Sequence, residues 1–239
     1  MMSAIISFFI RCRAKMIFKF MPSRLLLTMM EGCVVYYPQT ADIPLISRKN
    51  DLRLDGGVSA MISAHATASY GLTKKVAVQV YGNIYNGHYY QGALGYYKIF
   101  DQIYVFEIYG GAGNGYGDAY NDANPGNLKG HYQVYFSQLN FGSNQEGKKS
   151  DYGIGWKLGY LHSAFIDQNY HGRYSETGPF ILYKDDSFLA EPVAFVRFGG
   201  KHLKINLKAG FCWIHQFTHT DKLIPYSQFN LGAGLNYRF

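Results

Sequence analysis

The feature that most constrains this chain is a strict two-residue alternation, sustained for eleven or twelve residues at a time. In residues 202–213, Leu203, Ile205, Leu207, Ala209, Phe211 and Trp213 share one face. The opposite face carries His202, Lys204, Asn206, Lys208, Gly210 and Cys212. Residues 229–239 repeat the pattern, with Phe229, Leu231, Ala233, Leu235, Tyr237 and Phe239 against Asn230, Gly232, Gly234, Asn236 and Arg238. Residues 152–162 do so again, with Tyr152, Ile154, Trp156, Leu158 and Tyr160 against Gly153, Gly155, Lys157 and Gly159. A period of two is that of a strand with one apolar face. Soluble strands average about five or six residues, whereas a tilted strand needs about 9–11 to cross a bilayer. These runs have the longer length.

The second face separates a membrane barrel from a soluble sandwich. A sandwich would set Thr, Ser, Lys and Glu densely toward water, but here glycine dominates, with isolated charges. That suits a narrow lumen in which side chains compete for space. Shorter runs agree: Val76, Val78, Val80 and Ile84 alternate with Gln79 and Asn83, and Tyr104, Phe106 and Ile108 with Glu107. Phe188, Ala190, Ala194, Val196 and Phe198 alternate with Glu191 and Arg197; Pro192 within that run demands a bulge or a gap in the ladder. Residues 131–142 alternate too poorly for their faces to be assigned.

Turn signals divide the runs. Gly71–Lys74, Phe100–Gln102 and Gly199–Lys201 are short; Asn114–Lys129, Asn144–Ser150, Phe165–Asp186 and Thr218–Tyr226 read as long polar connections. Alternating short and long links fit a meander with tight periplasmic turns and longer outer loops. Two further strands, near 51–57 and 61–71, bring the count to ten, with eight as the competing number. The fold expected is therefore all-β, a closed antiparallel transmembrane β-barrel of eight to ten strands, ten favoured. A mean hydropathy of −0.15 is compatible with it, since only alternate residues face lipid.

Residues 1–32 read as a secretory leader: Lys19 and Arg24 precede the apolar run Leu25–Met30, and Met16 opens a more ordinary leader than Met1 does. The net charge of +7 invites a nucleic-acid reading, but Arg11, Arg13, Lys15, Lys19 and Arg24 lie in that leader. With Glu31 set against them, the leader carries a net four of the seven charges, and no basic stripe remains for nucleic acid. Glu31-Gly32-Cys33 looks like a lipobox, making Cys33 the candidate lipidated N-terminus and residues 33–50 a tether before the barrel at 51–239. Cys12, Cys33 and Cys212 have neither disulfide-framework nor metal-ligand spacing.

The chain ends Leu235-Asn236-Tyr237-Arg238-Phe239, similar to the terminal strand by which barrel-assembly machinery recognises its substrates. Ala66–Thr73, Glu107–Gly113 and Ala190-Glu191-Pro192, with Cys33–Pro38 and Pro44-Leu45, resemble pieces of small outer-membrane β-barrel lipoproteins of Bacteroidetes. The resemblance implies an outer-membrane location and a barrel architecture, with Tyr237 and Phe239 as assembly signal, but no activity. No acidic run follows Cys33, which in that group favours an N-terminus in the periplasm.

If the apolar faces meet lipid, Glu107, Lys157, Glu191, Arg197, Lys204, Lys208 and Arg238 point into the lumen. They form either a structural plug of balanced charges or, since five cations outnumber two anions, the basic lining of a narrow pore. Tyr89, Tyr90, Tyr96, Tyr97, Tyr104, Tyr109, Tyr132 and Tyr135 are expected in the interfacial girdles. Catalysis has weak support: His162 and Ser163 are adjacent on a strand and face opposite ways, with His171 and Glu176 in the next loop. His215, His219 and Asp221 have a spacing that converges on a helix, not at a strand exit. Gly110–Gly117 opens no helix, so it is no phosphate cradle; its glycines suit a strongly coiled wall.

The reading is an outer-membrane barrel lipoprotein with a structural or accessory role in an envelope assembly, and not an enzyme. Its partners are membrane lipid, the assembly machinery and a larger outer-membrane complex; no cofactor, metal or nucleic acid is expected. A basic channel and a soluble periplasmic ligand-binding sandwich are the rivals.

Overall fold

Each alternating run becomes a strand in the computed structural model, which describes residues 34–38, 43–59, 63–84, 87–121, 126–144, 148–167, 181–217 and 224–239. The strands are β1 Leu52–Ser59, β2 Ala64–Gly71, β3 Val76–Ile84, β4 Gly87–Phe100, β5 Tyr104–Asn121 and β6 Gly126–Ser143. They continue with β7 Ser150–Asp167, β8 Ile181–Gly199, β9 Leu203–Phe211, β10 Trp213–Gln216 and β11 Phe229–Arg238. All pairings are antiparallel between neighbours, and β1 pairs with β11 as well as β2. Both β9 and β10 pair with β8, and β9 also pairs with β11, so the sheet closes. A sandwich, which has free sheet edges, is ruled out.

Pro192 explains why eleven strands make ten staves. Val193↔Gly210 and Ala190↔Trp213 lie in one unshifted register, so β9 and β10 are halves of a single stave. Opposite Glu191 and Pro192 the ladder is broken, because proline has no N–H to donate. Cys212 instead donates its N–H to Gln228 O at 2.8 Å. The β7–β8 ladder runs past Pro192 without a shift, so the proline makes a gap and no bulge.

The apolar faces point outward. Ile154 is 60% exposed, Trp156 53% and Leu235 55%, while Leu207, Phe211 and Leu231 share their side. Lys157, Glu191 and Arg197 are fully buried inside the ring. In β6 the poorly alternating segment resolves with inverted chemistry. Tyr132, Val134, Phe136, Gln138 and Asn140 face in, and His131, Gln133, Tyr135, Ser137, Leu139 and Phe141 face out.

The barrel has two distinct ends. At one, Phe239 N–H donates to Leu52 O at 3.1 Å, and the links 72–75, 101–103 and 200–202 are tight; the longer link 144–149, expected among the outer loops, lies at this end too. This is the terminal end. Asp101 and Gln102 take positive φ there, 50° and 56°, as the central residues of a β-turn closed by Ile103 N–H donating to Phe100 O at 3.0 Å. The other is the loop end, where β7 joins β8 and β10 joins β11. The wall is uneven: β5 to β8 have 18 or 19 residues, β1 to β3 only 8 or 9. Two connections expected to be long loops are largely this extra wall. Asp118 pairs with Lys129 in register, with an ion pair at 3.1 Å, and Asp167 pairs with Ile181. The apolar alternation lapses over this extra wall, which is why the sequence reads there as loop.

Candidate functional site: the filled lumen

Of the segment expected to be a tether, residues 34–38 and 43–46 lie inside the barrel. Tyr36, Leu45 and Ile46 are completely buried, and Val35, Tyr37 and Ile43 nearly so. Three clusters fill the lumen around them. Toward the loop end, Val35 and Tyr36 pack with Tyr81, Tyr89, Tyr132, Val134, Phe136, Leu161 and neighbours. Toward the terminal end, Ile43 and Leu45 pack with Val105, Val193 and Phe195, and Ile46 with Ala77, Tyr97 and Tyr109.

This corrects the girdle assignment for half of the tyrosines. Tyr90, Tyr96 and Tyr135 are exposed on the outer face, and Tyr104 is half-buried there. Tyr89, Tyr97, Tyr109 and Tyr132 are at most 4% exposed and point inward. The lumen's glycines make room for them and for the inner segment. A Cβ on Gly115 would strike the Tyr132 ring, and one on Gly117 would strike Val35. Tyr132 stacks on Tyr89 at 5.7 Å and meets the Tyr36 ring edge-on at 5.3 Å.

The buried charges sit among these rings, each with partners. Lys157 Nζ donates to Gln91 Oε1 at 2.8 Å, stands 4.0 Å from Glu191 Oε2 and lies over the Phe136 ring at 4.5 Å. Glu191 Oε1 accepts the Tyr36 hydroxyl at 2.8 Å. Glu107 accepts the Ile46 N–H at 2.6 Å and the Asn140 amide at 3.0 Å, so its partners are dipoles rather than a cation. Arg197 donates to Ile43 O and stacks over Phe195. Lys204 binds Asp151 at 2.7 Å; Lys208 donates to His65 Nε2 at 2.9 Å, and Asn206 to Asp55 at 3.0 Å. Arg238, half-buried at the terminal end, donates to Asp51 Oδ1 at 2.9 Å.

Reading the sequence missed half of this network. Among the described residues, six carboxylates are buried (Asp51, Asp55, Glu107, Asp151, Asp185, Glu191) against five basic side chains (Arg53, Lys157, Arg197, Lys204, Lys208). The excess of cations expected for a basic pore is absent from them. The signal was present in β1, where Arg53 and Asp55 alternate with Leu54, and in Asp151 beside Tyr152. An unpaired charge in such a space would cost several kcal/mol, so near-balance is what a lumen packed in this way requires.

The remaining candidates are not brought together. His162 faces out, with Nδ1 2.6 Å from Asp186 Oδ1, while Ser163 faces in and donates to Asp185 O at 3.2 Å. His215 is exposed and stacks on Trp213 at 5.6 Å. Cys33, His171, Glu176, His219 and Asp221 lie outside the described residues, as do residues 1–32. No group of three metal-ligating side chains converges among the described residues. Tyr237 and Phe239 stand exposed on the outer face, their rings edge-on at 4.7 Å.

No family model and no curated protein matches the chain. Among solved structures it is similar to the N-terminal β-barrel domain of Pseudomonas aeruginosa OprF. Identity is 11%, the TM-score is 0.34, and the match covers 80% of this chain and 98% of that one.

Proposed function

We propose that this chain is an outer-membrane β-barrel lipoprotein with a structural or accessory role in an envelope assembly, its lumen closed to solutes. The observation that carries the reading is the burial of Tyr36, Leu45 and Ile46 inside a ring whose outer face is apolar. An exterior bearing Val80, Leu94, Ile154, Trp156, Leu207 and Leu235 favours hydrocarbon over water. The packing of Tyr36, Leu45 and Ile46 among the inward-facing rings favours a scaffold over a channel.

Cys33, after the apolar run Leu25–Met30, is the acylation point in this reading. One acyl chain anchors a protein only marginally, so here it would supplement a barrel that already holds the membrane. The exposed Tyr237–Phe239 pair suits recognition by the assembly machinery, and the loop end is the face offered to a larger complex. Single-channel recording in planar bilayers tests the proposal. The full chain is expected to give no steady open level, and deletion of residues 34–46 to produce one. A stable conductance from the full chain would refute a closed lumen.

A further inference from the structure

We infer that the inner segment runs up the lumen from Asp51 to Val34, so that Val34 lies toward the loop end, which in the outer-membrane reading proposed above is the cell-surface end. The contacts of the described residues lead from the terminal end at Asp51 to the loop end at Val35. Asp51 is at the terminal end: Gly71 N–H donates to its carbonyl at 3.0 Å, and Arg238 binds its carboxylate. Leu45 O accepts the side-chain amide of Asn144, immediately beyond β6, at 2.7 Å. Ile46 N–H reaches Glu107, the fourth residue of β5, and Ile43 O reaches Arg197, two residues before β8 ends at Gly199.

Higher up, the Tyr36 hydroxyl meets Glu191, eight residues from that same end of β8. Val35 packs where a Cβ on Gly117 would stand, thirteen residues along β5 from Tyr104. The top of the segment is also held by the connection between β10 and β11. Val35 N–H donates to Pro225 O at 2.9 Å, Ser227 N–H to Tyr36 O at 3.1 Å, and Tyr36 forms a parallel bridge with Tyr226. That connection belongs to the loop end.

In bacterial barrels the tight turns face the periplasm and the longer loops the exterior. The direction of threading therefore leads the chain at Val34 toward the outer side, against the expectation of a periplasmic N-terminus. A diacylglyceryl group on Cys33 would then enter the outer leaflet; the outer side rests on the outer-membrane reading above, and the acyl group on the lipoprotein reading.

The test inserts a short epitope between Cys33 and Val34 of the full chain and stains intact cells with its antibody. The same epitope at Lys74, in the tight β2–β3 turn, and in the β7–β8 connection gives the periplasmic and surface references. Expected is staining of intact cells at 33/34 and at β7–β8, with Lys74 stained only after permeabilisation. Staining at 33/34 only after permeabilisation would overturn the inference, as would a reversal of the two references.

Because an insertion could expel the segment, a second variant pairs Val35→Cys with Gly117→Cys. A disulfide joining these positions, found by mass spectrometry, is expected; its absence under oxidation would overturn the threading. Metabolic labelling with a fatty acid, compared with a Cys33→Ala variant, separates the two claims. Lack of label refutes lipidation, while surface staining by the epitope still upholds the threading.

Discussion

The Tyr36 hydroxyl donates to Glu191 Oε1 at 2.8 Å, joining residues 155 apart in sequence across the centre of the barrel. On its other side Glu191 faces Lys157, 4.0 Å away with both side chains buried. The inner segment thus completes the environment of a charge pair on β7 and β8.

Removing one member of that pair is therefore costly. Lys157→Met is expected to destabilise the barrel by about 3–5 kcal/mol, the usual penalty for a buried charge left without its counterion. The double variant Lys157→Met, Glu191→Gln should recover much of the loss, because nothing charged remains to be stranded. Urea unfolding in detergent micelles, followed by tryptophan fluorescence, measures both. Equal losses in the single and double variants would show that the pair is not coupled.

Glycines lining the lumen should tolerate a methyl group less well than glycines outside. At Gly115 the methyl would collide with the Tyr132 ring, and overpacking of this kind costs about 1–3 kcal/mol. At Gly92 nothing lies within 4 Å of the added carbon. Gly115→Ala is expected to lower the unfolding midpoint and Gly92→Ala to leave it nearly unchanged, with Tyr132→Leu partly rescuing the first. Equal tolerance at the two sites would contradict the packing described.

The inner and outer faces of β7, β9 and β11 were legible from alternation alone, since their outward residues meet one uniform environment. The inner face of β6 was not. Tyr132, Val134 and Phe136 turn inward while Gln133 and Ser137 turn outward, because the lumen at that height holds Tyr36 and its neighbours rather than water. Periodicity identifies a strand, but which face is internal depends on what fills the interior. For this barrel the filling lies about a hundred residues upstream, in a segment with no periodicity of its own. The same reason hid Tyr89, Tyr97 and Tyr109, whose composition suits a girdle equally well. Asp51 and Asp55 escaped notice because the run near 51–57 is short, and Asp151 because it stands one residue before the alternation of 152–162 begins.

Acid should loosen the terminal end first. Burial pushes the Asp51 carboxyl up, but Arg53 and Arg238, with the Ser47 N–H, outweigh it and hold it below the ordinary carboxylate range. A carboxyl lowered on folding stabilises fully above its unfolded value, and that share is lost as pH falls through the folded one. Asp51→Asn should therefore lower the unfolding midpoint at neutral pH, and its gap from the parent should close well below the carboxylate range. A gap independent of pH would rule out this role for Asp51.

The central claim is that the outward faces of these staves lie against hydrocarbon. Trp156 and Trp213, the chain's two tryptophans, are both on that face, 53% and 47% exposed. Tryptophan fluorescence of the barrel in bilayers of lipids brominated along the acyl chains reports their surroundings directly. Strong quenching by the bromolipid, with little effect from aqueous iodide, is the predicted result. Quenching by iodide with none from the bromolipid would contradict the account.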